Sequence, residues 1–213
     1  MPSTLMHLAL AERVYQGIKD KLSIDKIQFF VGNILPDEAR DKGKSHYRVI
    51  SSINSYLLPD MEIVKKELFD KNDPVKLGAY CHLYLDYHFF GDYAFDLFIF
   101  DKDNNKIINK KNGLEWETKE FWSPRVFYSS YSELNQLILN DKLVDLNDIY
   151  KMPRILPLIG NEGFDIRRER NWKDEVLSFI DEKQEYTGKI LEYKPSIELI
   201  KNVADELIKK ITK

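Results

Sequence analysis

A chain of 213 residues, 43% hydrophobic and 31% charged, is long enough to bury one sizeable core and short for two, so it reads as a single domain over residues 1–213. A net charge of −3 gives no sign of a basic nucleic-acid binder or of an acidic tail. The lone cysteine, Cys81, excludes an internal disulfide and fits a reducing, cytoplasmic setting. The opening MPSTLMHLALAERV has no basic stretch before its apolar run, and Glu12 and Arg13 break that run. It is therefore not read as a signal peptide, and no apolar run reaches transmembrane length.

In chain order, Ser3 or Thr4 caps a first helix reaching about Lys19, with Leu5, Leu8, Ala11 and Val14 at helical spacing and His7 near its start. Residues 27–37 begin as a buried apolar run, are expected to break at Gly32-Asn33, where Asn33 makes a turn, and end at Pro36-Asp37. This reads as a short helix feeding an irregular loop. The polar loop 38–45 brings in His46. Residues 52–69 read as helix interrupted at Pro59. Asn72-Asp73-Pro74 is a turn and cap for the helix from Pro74 to Asp92, with Gly91 near its end. Beyond it, Asp101 to Asn105 is a turn, and Lys106 to Gly113 is either a hairpin arm or a plain loop. The aromatic stretch 116–131 is ambiguous. Helices are expected over 132–139, 143–150, 171–187 and 196–211, with a connection at 152–163. The fold class is all-α: a single-domain, multi-helix bundle with a loop-rich middle.

The chemistry concentrates in the first half. His82 and Asp86 stand four apart on the central helix, so imidazole and carboxylate share one face, and Gly78 one turn earlier leaves room for another element. A buried carboxylate needs a partner, which is either the histidine itself or a metal ion. The four histidines, His7, His46, His82 and His88, all lie within the first 88 residues. With Asp37 and Asp86 they supply the imidazole and carboxylate ligands that zinc uses, and also iron or manganese. Arg40 and Arg48 flank the loop and are candidates to hold a phosphate, against the commoner role of solvated surface charge. Arg167, Arg168 and Arg170 form a basic patch. Trp116, Trp122 and Tyr128 line either a substrate mouth or the core.

The order MPSTLMHLALAERV, FFVGNILPDEAR, SHYR, LGAYCHLYLDYH resembles the zinc-dependent phospholipase C family, which includes bacterial phospholipases and alpha-toxins and is similar to the fungal single-strand zinc nucleases. The resemblance covers about residues 1–92. It implies a mainly helical fold and hydrolysis of phosphate esters by metal-activated water. It also implies that Asp37, His46, His82 and Asp86 bind one zinc, and that Asp86 bridges to a second held by His7. Asp37 is the expected catalytic base or water-positioning group. The chain departs from the family where Asp92 stands in place of a histidine and where no histidine follows His88, which removes support for a third ion. His88 and Asp92 are left with a supporting or weak-ligand role.

The expected substrate is a small phosphate ester, nucleic acid entering only as substrate, with one or two zinc ions as cofactor. Oligomeric state is left open. The rival readings are a non-catalytic relative with a single structural metal and a helical phosphohydrolase of the HD type. The latter needs an adjacent His-Asp pair that this chain lacks.

Overall fold

The computed structural model describes residues 2–50, 57–123, 125–154, 156, 172–181 and 190–213. The elements run α1 (Thr4–Ile18), α2 (Lys26–Glu38), α3 (Lys42–Ser45), β1 (Arg48–Ile50), β2 (Leu57–Pro59), α4 (Met61–Leu68) and α5 (Pro74–His88). A π-helical turn (Phe89–Tyr93) follows, then α6 (Ala94–Leu97), β3 (Phe98–Asp101), β4 (Lys106–Asn109), β5 (Glu115–Glu117), α7 (Thr118–Phe121), α8 (Ser129–Asn140), α9 (Leu146–Lys151), α10 (Trp172–Asp181) and α11 (Tyr193–Thr212). The protein is mostly helical, as expected, but not purely so: β1 pairs with β2, and β3-β4-β5 form a second antiparallel sheet.

Side-chain oxygens start the helices. Ser3 accepts from the Met6 amide, and Asp25, Asp41, Asp60, Asp73 and Asp145 each take an amide of the helix that follows. This satisfies donors that have no partner inside the first turn. Pro74 occupies the first turn of α5, where its missing N–H costs nothing.

The centre of the fold is the crossing of α2 over α5, where two glycines let the backbones touch. A Cβ on Gly32 would lie 2.0 Å from the Val75 carbonyl oxygen, and one on Gly78 would lie 2.0 Å from that of Phe29. The space expected at Gly78 is therefore used. Gly32, however, is no helix breaker: α2 runs unbroken through Gly32-Asn33, because tertiary contact holds it helical. It also carries Pro36 inside its last turn, so Asp37 sits on a helix and not in a loop.

Gly91 likewise does not end its helix. Its φ is not positive, and the π turn hands the chain on to α6. In the span 52–69, residues 57–59 are strand and the helix is α4. The rest of that span, 52–56, lies outside the described residues, as do Arg167, Arg168, Arg170 and most of the connection 152–163. The Lys106 arm is a hairpin strand, with β3 and β4 joined over residues 102–105.

Around this crossing α1 packs against α2, α8 and α11, burying Leu5, Leu8, Val14, Leu207 and Ile211 in one continuous core. Phe89, Phe98, Phe121, Trp122 and Phe127 stack edge-to-face beside it, so Trp122 is a packing residue. Among the described residues no helix is long and apolar enough to cross a membrane.

Candidate metal centre

Four segments deliver the cluster. His7 comes from the second turn of α1, Asp37 from the last turn of α2, His46 from the residue after α3, and His82 and Asp86 from one face of α5. All five are buried, Asp37 being the most exposed at 6%. His46 Nε2 lies 3.3 Å from Asp86 Oδ2 and 3.6 Å from Asp37 Oδ1. His82 Nε2 lies 3.7 Å from Asp86 Oδ2 and 4.0 Å from Asp37 Oδ2. His7 Nε2 is 3.5 Å from Asp86 Oδ1, and its ring stacks on that of His82 with centroids 3.6 Å apart. Two overlapping triads result, His7-Asp37-His82 and His46-His82-Asp86, with His82 common to both.

The hydrogen bonds on the far side of the rings fix which nitrogen faces inward. Asn33 O, a pure acceptor, lies 2.7 Å from His82 Nδ1, so that nitrogen carries the proton and donates. Ser45 Oγ donates its only hydrogen to the Pro36 carbonyl at 2.9 Å and so must accept from His46 Nδ1–H at 3.0 Å. Pro36 lies in the last turn of α2, where a carbonyl has no helical partner, so one serine both caps that helix and orients the imidazole. In the neutral rings the Nε2 atoms of His46 and His82 are therefore lone pairs.

Burial pushes His82 down to about 3, with the charge of His7 acting in the same direction, so its ring is neutral. Burial also works to raise Asp37 and Asp86. It is outweighed at Asp37 by the contact with His46 and the positive charge of Lys42, and at Asp86 by the approach of His7. Both carboxyls are held below the usual carboxylate range, and hence ionised.

Lone pairs thus face lone pairs. His7 Nδ1 and Nε2, His46 Nε2, His82 Nε2 and Asp86 Oδ1 are buried without a hydrogen-bond partner among the described residues. Two buried anions have one ammonium beside them, Lys42 Nζ at 3.1 Å from Asp37 Oδ1. Such an arrangement is costly unless a cation completes it. With bonds of about 2.0–2.1 Å, the ligand atoms of a tetrahedral zinc lie about 3.3 Å apart. The spacings here, 3.3 to 4.0 Å, match that distance or exceed it by less than 1 Å, and the donor set fits a divalent transition metal.

His88 and Asp92 fall elsewhere. His88 Nδ1 pairs with Asp92 Oδ2 at 3.2 Å, and its Nε2 lies 3.8 Å from Glu206 on α11. Both residues are thus outside the cluster, joining α5 to the C-terminal helix. Two residues past Asp86, His88 is turned about 200° away from it. Arg40 is exposed, and Arg48 opens β1; the Tyr128 phenol, pushed up by burial, feels both Asp37 and Arg48, which keeps Arg48 on the Asp37 side of the molecule. Asn33 makes no turn. It sits mid-helix, donates to the Gly78 carbonyl at 3.3 Å and lends its own carbonyl to His82. Cys81, although next to His82, points into the core, where burial pushes its thiol up, and it takes no part.

Lys42 and Ser45 are not among the residues that the sequence singles out. Ser45 directly before His46 was a usable signal, whereas nothing separates Lys42 from the other charges of its loop. Fold and site together define a helical protein built around a buried three-histidine, two-aspartate cluster. No family model, no curated protein and no solved structure matches the chain.

Proposed function

We propose that this protein is a metal-dependent hydrolase of phosphate esters, of the kind suggested by the resemblance of residues 1–92 to zinc-dependent phospholipases C and nucleases. One observation carries the reading: the Nε2 lone pairs of His46 and His82, set by hydrogen bonds to Ser45 and Asn33, converge on two ionised carboxylates.

His7, His46, His82 and Asp86, with Asp37, would hold one or two ions, zinc first and iron or manganese as alternatives. A bound ion supplies Lewis acidity, making water more acidic and polarising a phosphoryl oxygen. Asp37 is the carboxylate nearest the surface. Held below the usual carboxylate range, it is suited to orient the attacking water through a carboxylate oxygen more than to keep its proton. Lys42, beside it and partly exposed, offers positive charge to the phosphate. The substrate is a small phosphodiester or phosphomonoester, and the unpaired buried thiol of Cys81 suits a cytoplasmic setting.

A second reading, a non-catalytic protein with a structural metal, is favoured by how little of the cluster is exposed. Zinc- or manganese-loaded protein assayed on bis(p-nitrophenyl) phosphate and on p-nitrophenyl phosphate separates the two. Hydrolysis that disappears in Asp37→Asn while metal is retained supports the enzyme. Full metal loading with no turnover on either ester leaves the structural reading.

A further inference from the structure

The cluster has a neighbour from the half of the chain that carries no family resemblance. Ser3 Oγ donates to Asn135 Oδ1 at 2.5 Å, tying α8 to the start of α1. Ser3 stands one turn before His7, and Asn135 one turn after Tyr131, so the bond joins the turn that carries His7 to the turn that carries Tyr131.

Tyr131 is 6% exposed, and its hydroxyl has no hydrogen-bond partner among the described residues. The rings of Phe127 and Tyr128 wall it at 5.3 and 6.0 Å. Burial, then the nearby Tyr128 and the charges of Asp86 and Asp37, push its ionisation well up, so it is a neutral phenol with a proton to donate and lies within reach of both carboxylates' fields. A phenylalanine would fill the same space without leaving a polar group stranded, a defect that costs about 1–3 kcal/mol. A hydroxyl kept at that cost, on the helix that the Ser3–Asn135 bond ties to the turn carrying His7, calls for an acceptor that arrives with the ligand.

We propose that Tyr131 is a substrate-binding residue whose phenol O–H donates to a non-bridging oxygen of the phosphoryl group held at the metal centre. The inference rests on the hydrolase reading above, and it puts α8 in the site as a wall that reads the phosphate.

The test compares zinc-loaded wild type and Tyr131→Phe for zinc content, inorganic phosphate affinity by calorimetry, and kcat and KM on bis(p-nitrophenyl) phosphate. Equal zinc content with phosphate affinity and kcat/KM both lowered about 10- to 100-fold is the expected result, a hydrogen bond to a charged group being worth that much. Unchanged phosphate affinity and unchanged kcat/KM in Tyr131→Phe overturn the inference and leave the hydrolase reading in place. Loss of zinc in Tyr131→Phe overturns it too, since the phenol would then serve the metal. Wild type that takes up zinc but neither binds phosphate nor hydrolyses the ester removes the reading and the inference with it.

Discussion

At the scale of single residues, His82 is the position on which metal binding turns, because it belongs to both triads and its ring is held from behind by Asn33 O. His82→Ala is expected to abolish stoichiometric zinc binding measured by elemental analysis. His7→Ala should keep one tightly held ion, since His46, His82 and Asp86 remain. His88→Ala, altering only the contacts with Asp92 and Glu206, should leave metal content unchanged. Lys42 offers a different check. Its ammonium lies 3.1 Å from Asp37 Oδ1 and offsets its charge, and a bound ion would take over that duty. Lys42→Met should therefore destabilise chelated protein by on the order of 1–3 kcal/mol, and zinc-loaded protein by clearly less, in urea titrations run with and without chelator.

Among the elements, the α2–α5 crossing decides where Asp37, His82 and Asp86 meet. Gly32→Ala and Gly78→Ala each drive a methyl into a main-chain carbonyl that cannot rotate aside, so each should cost more than about 3 kcal/mol or prevent folding. Gly91→Ala is expected to do the opposite. Its Cβ would rest 3.7 Å from Leu58 Cδ1 in a helical backbone, and chemical denaturation should show a gain of about 0.5–1 kcal/mol.

These glycines also explain what could be read from sequence. The four-residue spacing of His82 and Asp86 and the caps at Ser3 and Asp73 depend on local geometry, and both are legible. Gly32, Pro36 and Gly91 look locally like stops, and only packing against α5 and the π turn makes them interior positions. That is why Asp37 was expected in a loop. The site residues are legible by chemical type, whereas Asn33 O, which meets His82 across the α2–α5 crossing, acquires its role only through contact between helices.

For the molecule as a whole, the cluster joins α1, α2, the turn after α3, and α5, so an ion bound only by the folded state should stabilise the entire domain. At a free zinc concentration of 100 times Kd the gain is about 2.7 kcal/mol. It should appear as a single cooperative unfolding transition shifted up by zinc and back down by chelator. Two separate transitions would mean that the cluster does not couple these helices. The last helix takes part in the same unit: α11 packs along α1, and Arg13 meets Asp205 at 3.0 Å. A chain ending before Tyr193 should accordingly fail to hold zinc, although it retains every candidate ligand, as dialysis followed by elemental analysis would reveal.

Cys81 gives the protein a built-in clock. It is the chain's only thiol, lies fully inside the core, and sits one residue from His82 on the helix that carries two of the five cluster residues. A thiol reagent can reach it only when α5 leaves its neighbours, so the labelling rate in native buffer counts openings of the central helix. Zinc holds that helix through His82 and Asp86 and should slow the clock, while alanine at His88 should leave its rate unchanged.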